Sequence, residues 1–251
     1  MPRPVRSEQM AVPSSSVSEL KVVYFPSCIN QSMGTSVKDR EKRPLILVTL
    51  EVLEKAGYQV IFPEGMKTLC CGTPWESKGF VDMAETKSSE LEMALLQASD
   101  GGNIPVLCDT SPCIHRMKKV MSKALKLYEP VEFVHDHLLD KLDLKKVPGR
   151  QAFHVTCTST KMGLGEKFLK VAEACTEDPL FPEEVGCCGF AGDKGFTDPK
   201  LNSWSLRNLK VQAGGLDAGY SNSRTCEIGL SRNSGIDYRS VMYLVHQAME
   251  G

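Results

Sequence analysis

Ten cysteines in 251 residues are the chemically telling feature of this chain. Eight of them fall into two sets of four with the same internal order. Cys28, the adjacent pair Cys70 and Cys71, and Cys113 form the first set; Cys157, the pair Cys187 and Cys188, and Cys226 form the second. Thiolates in fours hold zinc or an iron-sulfur cluster. The close C-x-x-C pairs of zinc ribbons and ferredoxins are missing, so neither framework is indicated. An adjacent Cys-Cys followed by glycine suits a polynuclear cluster better. Neighbouring side chains of an extended segment point apart and so reach different metal atoms, while glycine lets backbone amides approach the sulfurs. Cys108 and Cys175 have no cysteine counterpart and read as core residues, since free cysteine packs as a small hydrophobe.

The elements that carry these cysteines repeat along the chain. KVVYFPSC is a β-branched and aromatic run that delivers Cys28 at its end, and RPLILVTLEVLEKAGY has helical spacing between Pro44 and Gly57. QVIFPEG predicts a strand, Val81 to Ser99 a helix, IPVLCDTSPC a strand ending in a cysteine, and IHRMKKVMSKALKLY a helix. From about Gln151 the same parts recur in the same order. CINQSMG matches CTSTKMG, LCCGTPWESKGF matches GCCGFAGDKGF, DTSPC matches NSRTC, and VEFVH matches MYLVH. The expectation is an α/β fold of two homologous lobes, each a small parallel sheet flanked by helices, related by a pseudo-two-fold. Residues 1–20 read as a flexible tail or linker, 21–148 as the first lobe and 149–251 as the second.

Other signals weigh less. His135 and His246 end matched apolar runs that read as strands, where a buried, hydrogen-bonded histidine is expected rather than a ligand. His154, three residues before Cys157, is placed to tune a cluster from behind its ligands. Lys78 and Lys194, in the two Lys-Gly-Phe motifs, are either solvated or set beside a cluster. GLGEKF at Gly163 lacks the ending of a phosphate loop. A helix starting there would still aim positive dipole at an anionic centre. The basic face of the 114–128 segment reads as a solvated face.

Lys and Arg total 30 against 31 Asp and Glu, a net charge of -1, which leaves no basic surface for phosphate backbones; no nucleic-acid partner is expected. With 41% hydrophobic residues the chain can build a core. No apolar run approaches the roughly 18 residues of a membrane-spanning helix, and MPRPVRSEQMAVPSSS lacks a secretory apolar stretch, so a cytoplasmic location is expected.

The doubled Cys, Cys-Cys-Gly, Cys pattern resembles the tandem cysteine-rich CCG modules found in heterodisulfide reductase, in anaerobic glycerol-3-phosphate dehydrogenase and in lactate utilisation proteins. It is more similar still to the C-terminal region of the FAD- and iron-sulfur-dependent D-lactate, or D-2-hydroxy acid, dehydrogenases. The stretches that carry the likeness are YFPSC, CCG with SKGF, DTSPC, YEPVEFVHD, HVTC with KMGLGEKFL, GCCGFAGDKGF, SRTCEIGL and SGIDYRSVMYLV, across residues 21 to 247. The resemblance implies iron-sulfur clusters, of the 4Fe-4S type, on Cys28, Cys70, Cys71, Cys113, Cys157, Cys187, Cys188 and Cys226. It further implies an electron-transfer module that takes electrons from FAD on a partner flavoprotein domain or chain and passes them to a quinone or cytochrome. Peripheral association with the inner face of the membrane would come through that partner. Thr110 and Ser223 stand where heterodisulfide reductase has a further cysteine, which argues against its noncubane cluster. The flavin domain of the long dehydrogenases is not in this sequence, so the chemistry on the substrate is expected on another domain or chain. The competing reading is a structural or interaction protein stapled by zinc.

Overall fold

The computed structural model describes residues 2–4 and 18–250. Within them, ten strands form three sheets. β1 (Pro2–Pro4) pairs antiparallel with β3 (Met33–Ser36). The first lobe is built on β2 (Lys21–Phe25), β4 (Gln59–Ile61), β5 (Val106–Cys108) and β6 (Leu127–Tyr128), in the order β4-β2-β5-β6. The second is built on β7 (Val147–Phe153), β8 (Thr176–Leu180), β9 (Gly219–Ser221) and β10 (Tyr238–Ser240), in the order β10-β9-β7-β8. All pairings in the two larger sheets are parallel. Numbered within its own lobe, each sheet reads 2-1-3-4, so the two halves share a topology as well as motifs.

Strand alternation sorts side chains between two cores. Val22 and Tyr24 of β2, Phe153 of β7 and Tyr220 of β9 point into one apolar core that both lobes share. Helices Leu45–Lys55, Gly165–Cys175 and Val241–Glu250 fill the space between the sheets. The opposite faces carry Val23 and Phe25 in the first lobe and Ala152 and Tyr238 in the second, each under its own outer core. The first of the central helices shows the local rules. Pro44 caps its start, and the chain leaves it through Gly57 at φ 82°, a conformation glycine adopts without strain.

Four expectations change. Residues 2–4 of the expected tail are held by β3, and the Arg3 guanidinium donates to the carbonyls of Val37, Asp39 and Glu41; residues 5–17 lie outside the described residues. The boundary expected at 148/149 falls inside β7, where Pro148-Gly149 marks a register irregularity in a strand rather than a linker. The basic segment ends its helix at Val120, and Leu127–Tyr128 forms β6. Finally, His135 and His246 lie on helical turns, not strands. Glu129 and Glu132 form a capping box around Pro130 that converts VEFVH to helix immediately after β6, and MYLVH sits in the Val241–Glu250 helix.

Candidate metal centres

In an open parallel sheet the carboxyl ends of neighbouring strands part where the strand order reverses, leaving a crevice. That point lies between β2 and β5 in the first lobe and between β7 and β9 in the second. Cys28 opens the short helix Cys28–Ser32 just after β2, and Cys157 opens Cys157–Lys161 just after β7. Cys113 is the third residue of helix Ser111–Val120 after β5, and Cys226 the third of Arg224–Ser234 after β9. The paired cysteines approach on the loops beyond β4 and β8.

Both Cys-Cys-Gly turns are built alike. Gly72 at φ 85° and Gly189 at φ 66° each donate a backbone N–H to the first sulfur of the pair, Cys70 and Cys187, at 3.4 Å. The carbonyl of the second cysteine is tied to the lobe. Cys71 O accepts from Ser88 Oγ and Arg116 Nε, both at 2.9 Å, and Cys188 O accepts from Asn202 Nδ2 at 2.5 Å. The turns press so closely on their helices that a Cβ on Gly72 would lie 2.4 Å from Ala84 O, and one on Gly189 would lie 2.7 Å from Leu201 O.

These turns bring together the four sequence-predicted cysteines of each lobe. In the first, the thiols of Cys28 and Cys70, of Cys70 and Cys71, and of Cys71 and Cys113 act directly on one another, and Cys71 Sγ donates to Thr73 Oγ1 at 3.2 Å. In the second, Cys157 meets Cys187, Cys187 meets Cys188, and the Sγ atoms of Cys188 and Cys226 are 2.9 Å apart. The Cys28 and Cys187 side of each set is exposed, whereas Cys71, Cys113, Cys188 and Cys226 are buried. Cys108 is fully buried, and its thiol is the main influence raising the pKa of the Cys113 thiol. Cys175 lies in the shared core, away from both sets.

The electrostatics follow from crowding. The Cys28 thiol beside it pulls the Cys70 pKa down to about 3, while the same contact pushes Cys28 up. Neighbouring thiols likewise hold Cys71 and Cys113 up. One thiolate is tolerated and its neighbours keep their protons, because like charges this close cannot all form unless a cation replaces the protons. Donor type, glycine cradle and amide donors fit a metal-thiolate centre. The 2.9 Å between the Cys188 and Cys226 sulfurs is tighter than a single ion requires. Two thiolates on one tetrahedral zinc stand about 3.8 Å apart for metal-sulfur bonds of about 2.3 Å. Among the described residues, no three Cys, His, Asp or Glu side chains already surround a point as ligands of one ion. A metal would hold the thiols further apart than they stand here.

Sequence reasoning missed the residues that anchor the turns: Ser88, Arg116 and Asn202. The clue was spacing. Arg116 stands three residues after Cys113, on the same side of its helix. Its counterpart in the second lobe is Gly229, and Asn202 Nδ2 occupies the space, 2.5 Å from where a Gly229 Cβ would be. Lys78 lies across the lobe interface in an exposed pair with Asp193 at 2.8 Å, and Lys194 is exposed. His154 is buried on the Ala152 side of β7, its Nδ1 against Ser221 Oγ at 3.3 Å, with burial lowering its pKa to about 4.

Two α/β lobes that each gather Cys, Cys-Cys-Gly and Cys at the switch point of a parallel sheet define a tandem cysteine-rich module. The model of one family, the cysteine-rich CCG domain, matches residues 22–118 and again 151–231, and the chain belongs to that family. It is 27% identical over 187 residues to a lactate utilization protein A of Geobacillus thermodenitrificans, covering 69% of this chain and 73% of that one. Over 188 residues it is 28% identical to the protein of that name from Bacillus cereus, covering 69% and 73%. Among solved structures, the aspartate racemase of Picrophilus torridus aligns over 92% of both chains with a TM-score of 0.38 and 8% identity. The glutamate racemase of Aquifex pyrophilus aligns over 92% of this chain and 83% of that one, with a TM-score of 0.39 and 13% identity. Likeness at that level carries no functional argument.

Proposed function

We infer that this chain is an iron-sulfur electron-transfer protein of lactate utilisation, with clusters of the 4Fe-4S type held by the eight cysteines, four per lobe. The observation that carries this reading is the duplicated Cys-Cys-Gly turn, with its amide donor on a sulfur and its anchored carbonyl, beside two helix-borne cysteines. When bound, such clusters supply one-electron redox chemistry. The chain itself contributes the ligands, the amide donors of Gly72 and Gly189, and a dry inner wall formed by Phe25 in one lobe and Phe190 in the other. The exposed edges at Cys28 and Cys187 face outward, where a redox partner can approach. Electrons come from FAD on a partner flavoprotein domain or chain that oxidises D-lactate or another D-2-hydroxy acid, and leave to a quinone or cytochrome. Among the described residues no helix is long and apolar enough to cross a membrane, so contact with its inner face runs through the partner.

Anaerobic purification tests the reading. The protein is expected to be brown, to bleach with dithionite and to contain iron and sulfide. Cys71→Ser and Cys188→Ser lose iron, while Cys175→Ser keeps it. A colourless protein with stoichiometric zinc supports the zinc-stapled alternative and overturns the redox reading. With D-lactate and a dye the isolated chain shows no turnover. Added to its flavoprotein it delivers electrons to the acceptor, and Cys71→Ser blocks that delivery while leaving flavin reduction intact.

A further inference from the structure

A cleft of about 400 Å³ lies between the segment after β3 of the first lobe and helix Arg224–Ser234 of the second. That volume is at the small end of ligand sites. Its walls are fixed relative to one another, because Asp39, next to Lys38, is held by a two-point ion pair to Arg239 at 2.7 and 2.5 Å. Three cations line it: Lys38, Arg224 and Arg232.

Their charges are unevenly spent. Arg224, 6% exposed, pairs with Glu227 at 2.8 Å and leaves its buried Nε without a partner. Arg232 donates to Gly195 O at 3.2 Å and lies over the Phe190 and Phe196 rings. Neither Arg232 nor Lys38 has a carboxylate partner among the described residues. Glu227 pairs with Arg224, and Asp237, on the wall though in no ion pair among the described residues, is a second negative charge set against the three cations. One positive charge is left over, and the rest of the lining includes Ile228 and Ile236, both buried. A surplus of one charge beside an apolar wall selects a monoanion with a hydrocarbon part over a fully hydrated inorganic anion.

We propose that this inter-lobe cleft binds a small organic monocarboxylate, its carboxylate between Lys38 and Arg232 and its carbon chain against Ile228 and Ile236. The site does not depend on the redox reading, since its lining contains none of the eight cysteines. Isothermal titration calorimetry of the full chain with sodium propionate, sodium D-lactate and inorganic phosphate at matched ionic strength tests it. Saturable binding of the carboxylates with weaker binding of phosphate is expected. Lys38→Met and Arg232→Met, both at exposed positions, each weaken carboxylate binding about tenfold, and Lys38→Arg restores most of it. Phosphate binding as tightly as the carboxylates, absence of saturation by either carboxylate, or unchanged affinity in the Met variants would each overturn the assignment.

Discussion

Replacing Gly72 by alanine puts the Cys-Cys-Gly turn under direct test. At φ 85° an L side chain is strained by about 1–2 kcal/mol. The added Cβ also lands 2.4 Å from Ala84 O, 2.9 Å from Ser88 Oγ and 3.0 Å from Arg116 Nε. The first of these is backbone and cannot swing aside, so overpacking adds about 1–3 kcal/mol. Stiffening of the unfolded chain returns about 0.5–1 kcal/mol. The net loss is about 1–4.5 kcal/mol, which for a domain this size lowers Tm by about 2–18 °C. Gly79 provides the control. It has nearly the same φ, 83°, with nothing within 4 Å of its would-be Cβ, so Gly79→Ala isolates the strain. Urea unfolding followed by far-UV circular dichroism measures the difference, and iron content measured alongside reports whether Cys70 and Cys71 still hold their places. Gly189→Ala, which meets Leu201 O, paired with Gly192→Ala, which meets nothing, repeats the comparison in the second lobe. Equal stability of Gly72→Ala and Gly79→Ala would show that the turn does not press on its helix, and the cradle argument would fail.

Two further expectations concern the lobe interface. Glu129 is fully buried and accepts from Asn222 Nδ2 at 2.7 Å and Ser159 Oγ at 3.3 Å, both on the second lobe; burial raises its pKa to about 7 from 4.5. The folded chain therefore binds this proton more tightly than the unfolded one, so the stability it contributes is complete below about pH 4.5 and is lost as pH rises through about 7. Glu129→Gln should flatten that part of the pH profile by up to about 3 kcal/mol, and an unchanged slope in urea titrations between pH 5 and 8 would count against it. Asp39→Ala leaves Arg239 without its partner at a position where Asp39 itself is only 2% exposed, and should cost about 3–5 kcal/mol. Limited proteolysis should then cut between the lobes faster, and parental resistance would refute the role of this pair.

The repeat was legible because chemistry fixed it. Cysteines, glycines and the residues beside them recur, and the strand orders agree with that reading. What the sequence hid was whatever depended on distance along the chain. Cys28 and Cys70 come together only through a parallel sheet, so their contact has no short-range signature. Arg116 looked like part of a solvated basic face, yet it turns inward to the Cys71 carbonyl, and Lys118 on the same helix pairs with Glu132 at 2.6 Å. Helix outranked strand at VEFVH because a capping box acts locally, while the apolar pattern of five residues fits either state.

The matched Met-Gly pairs that follow Cys28 and Cys157 show why the lobes function as one body. Met162 of the second lobe packs against the outer core of the first, the core that contains Cys71 and Cys113. Met33 of the first packs against the outer core of the second, with Cys188 and Cys226. Each lobe thus packs the same residue of the repeat against the other's outer core, and flexible methionine suits a wall that must meet a different set of neighbours on each side. Hydroxyls reinforce the exchange. Ser111, two residues before Cys113, bonds Thr156 at 2.7 Å and Thr158 at 2.9 Å, the residues on either side of Cys157. A shift of one lobe would therefore move side chains at the other lobe's thiols before it broke any bond within either sheet. The shared core between the sheets supplies the resistance to such a shift, since sliding would expose Tyr24, Phe153 and Tyr220, all essentially buried. Duplication gave two thiol sets, and reciprocal packing keeps their separation and orientation constant, which is what the proposed pair of redox centres needs to exchange electrons at a fixed distance.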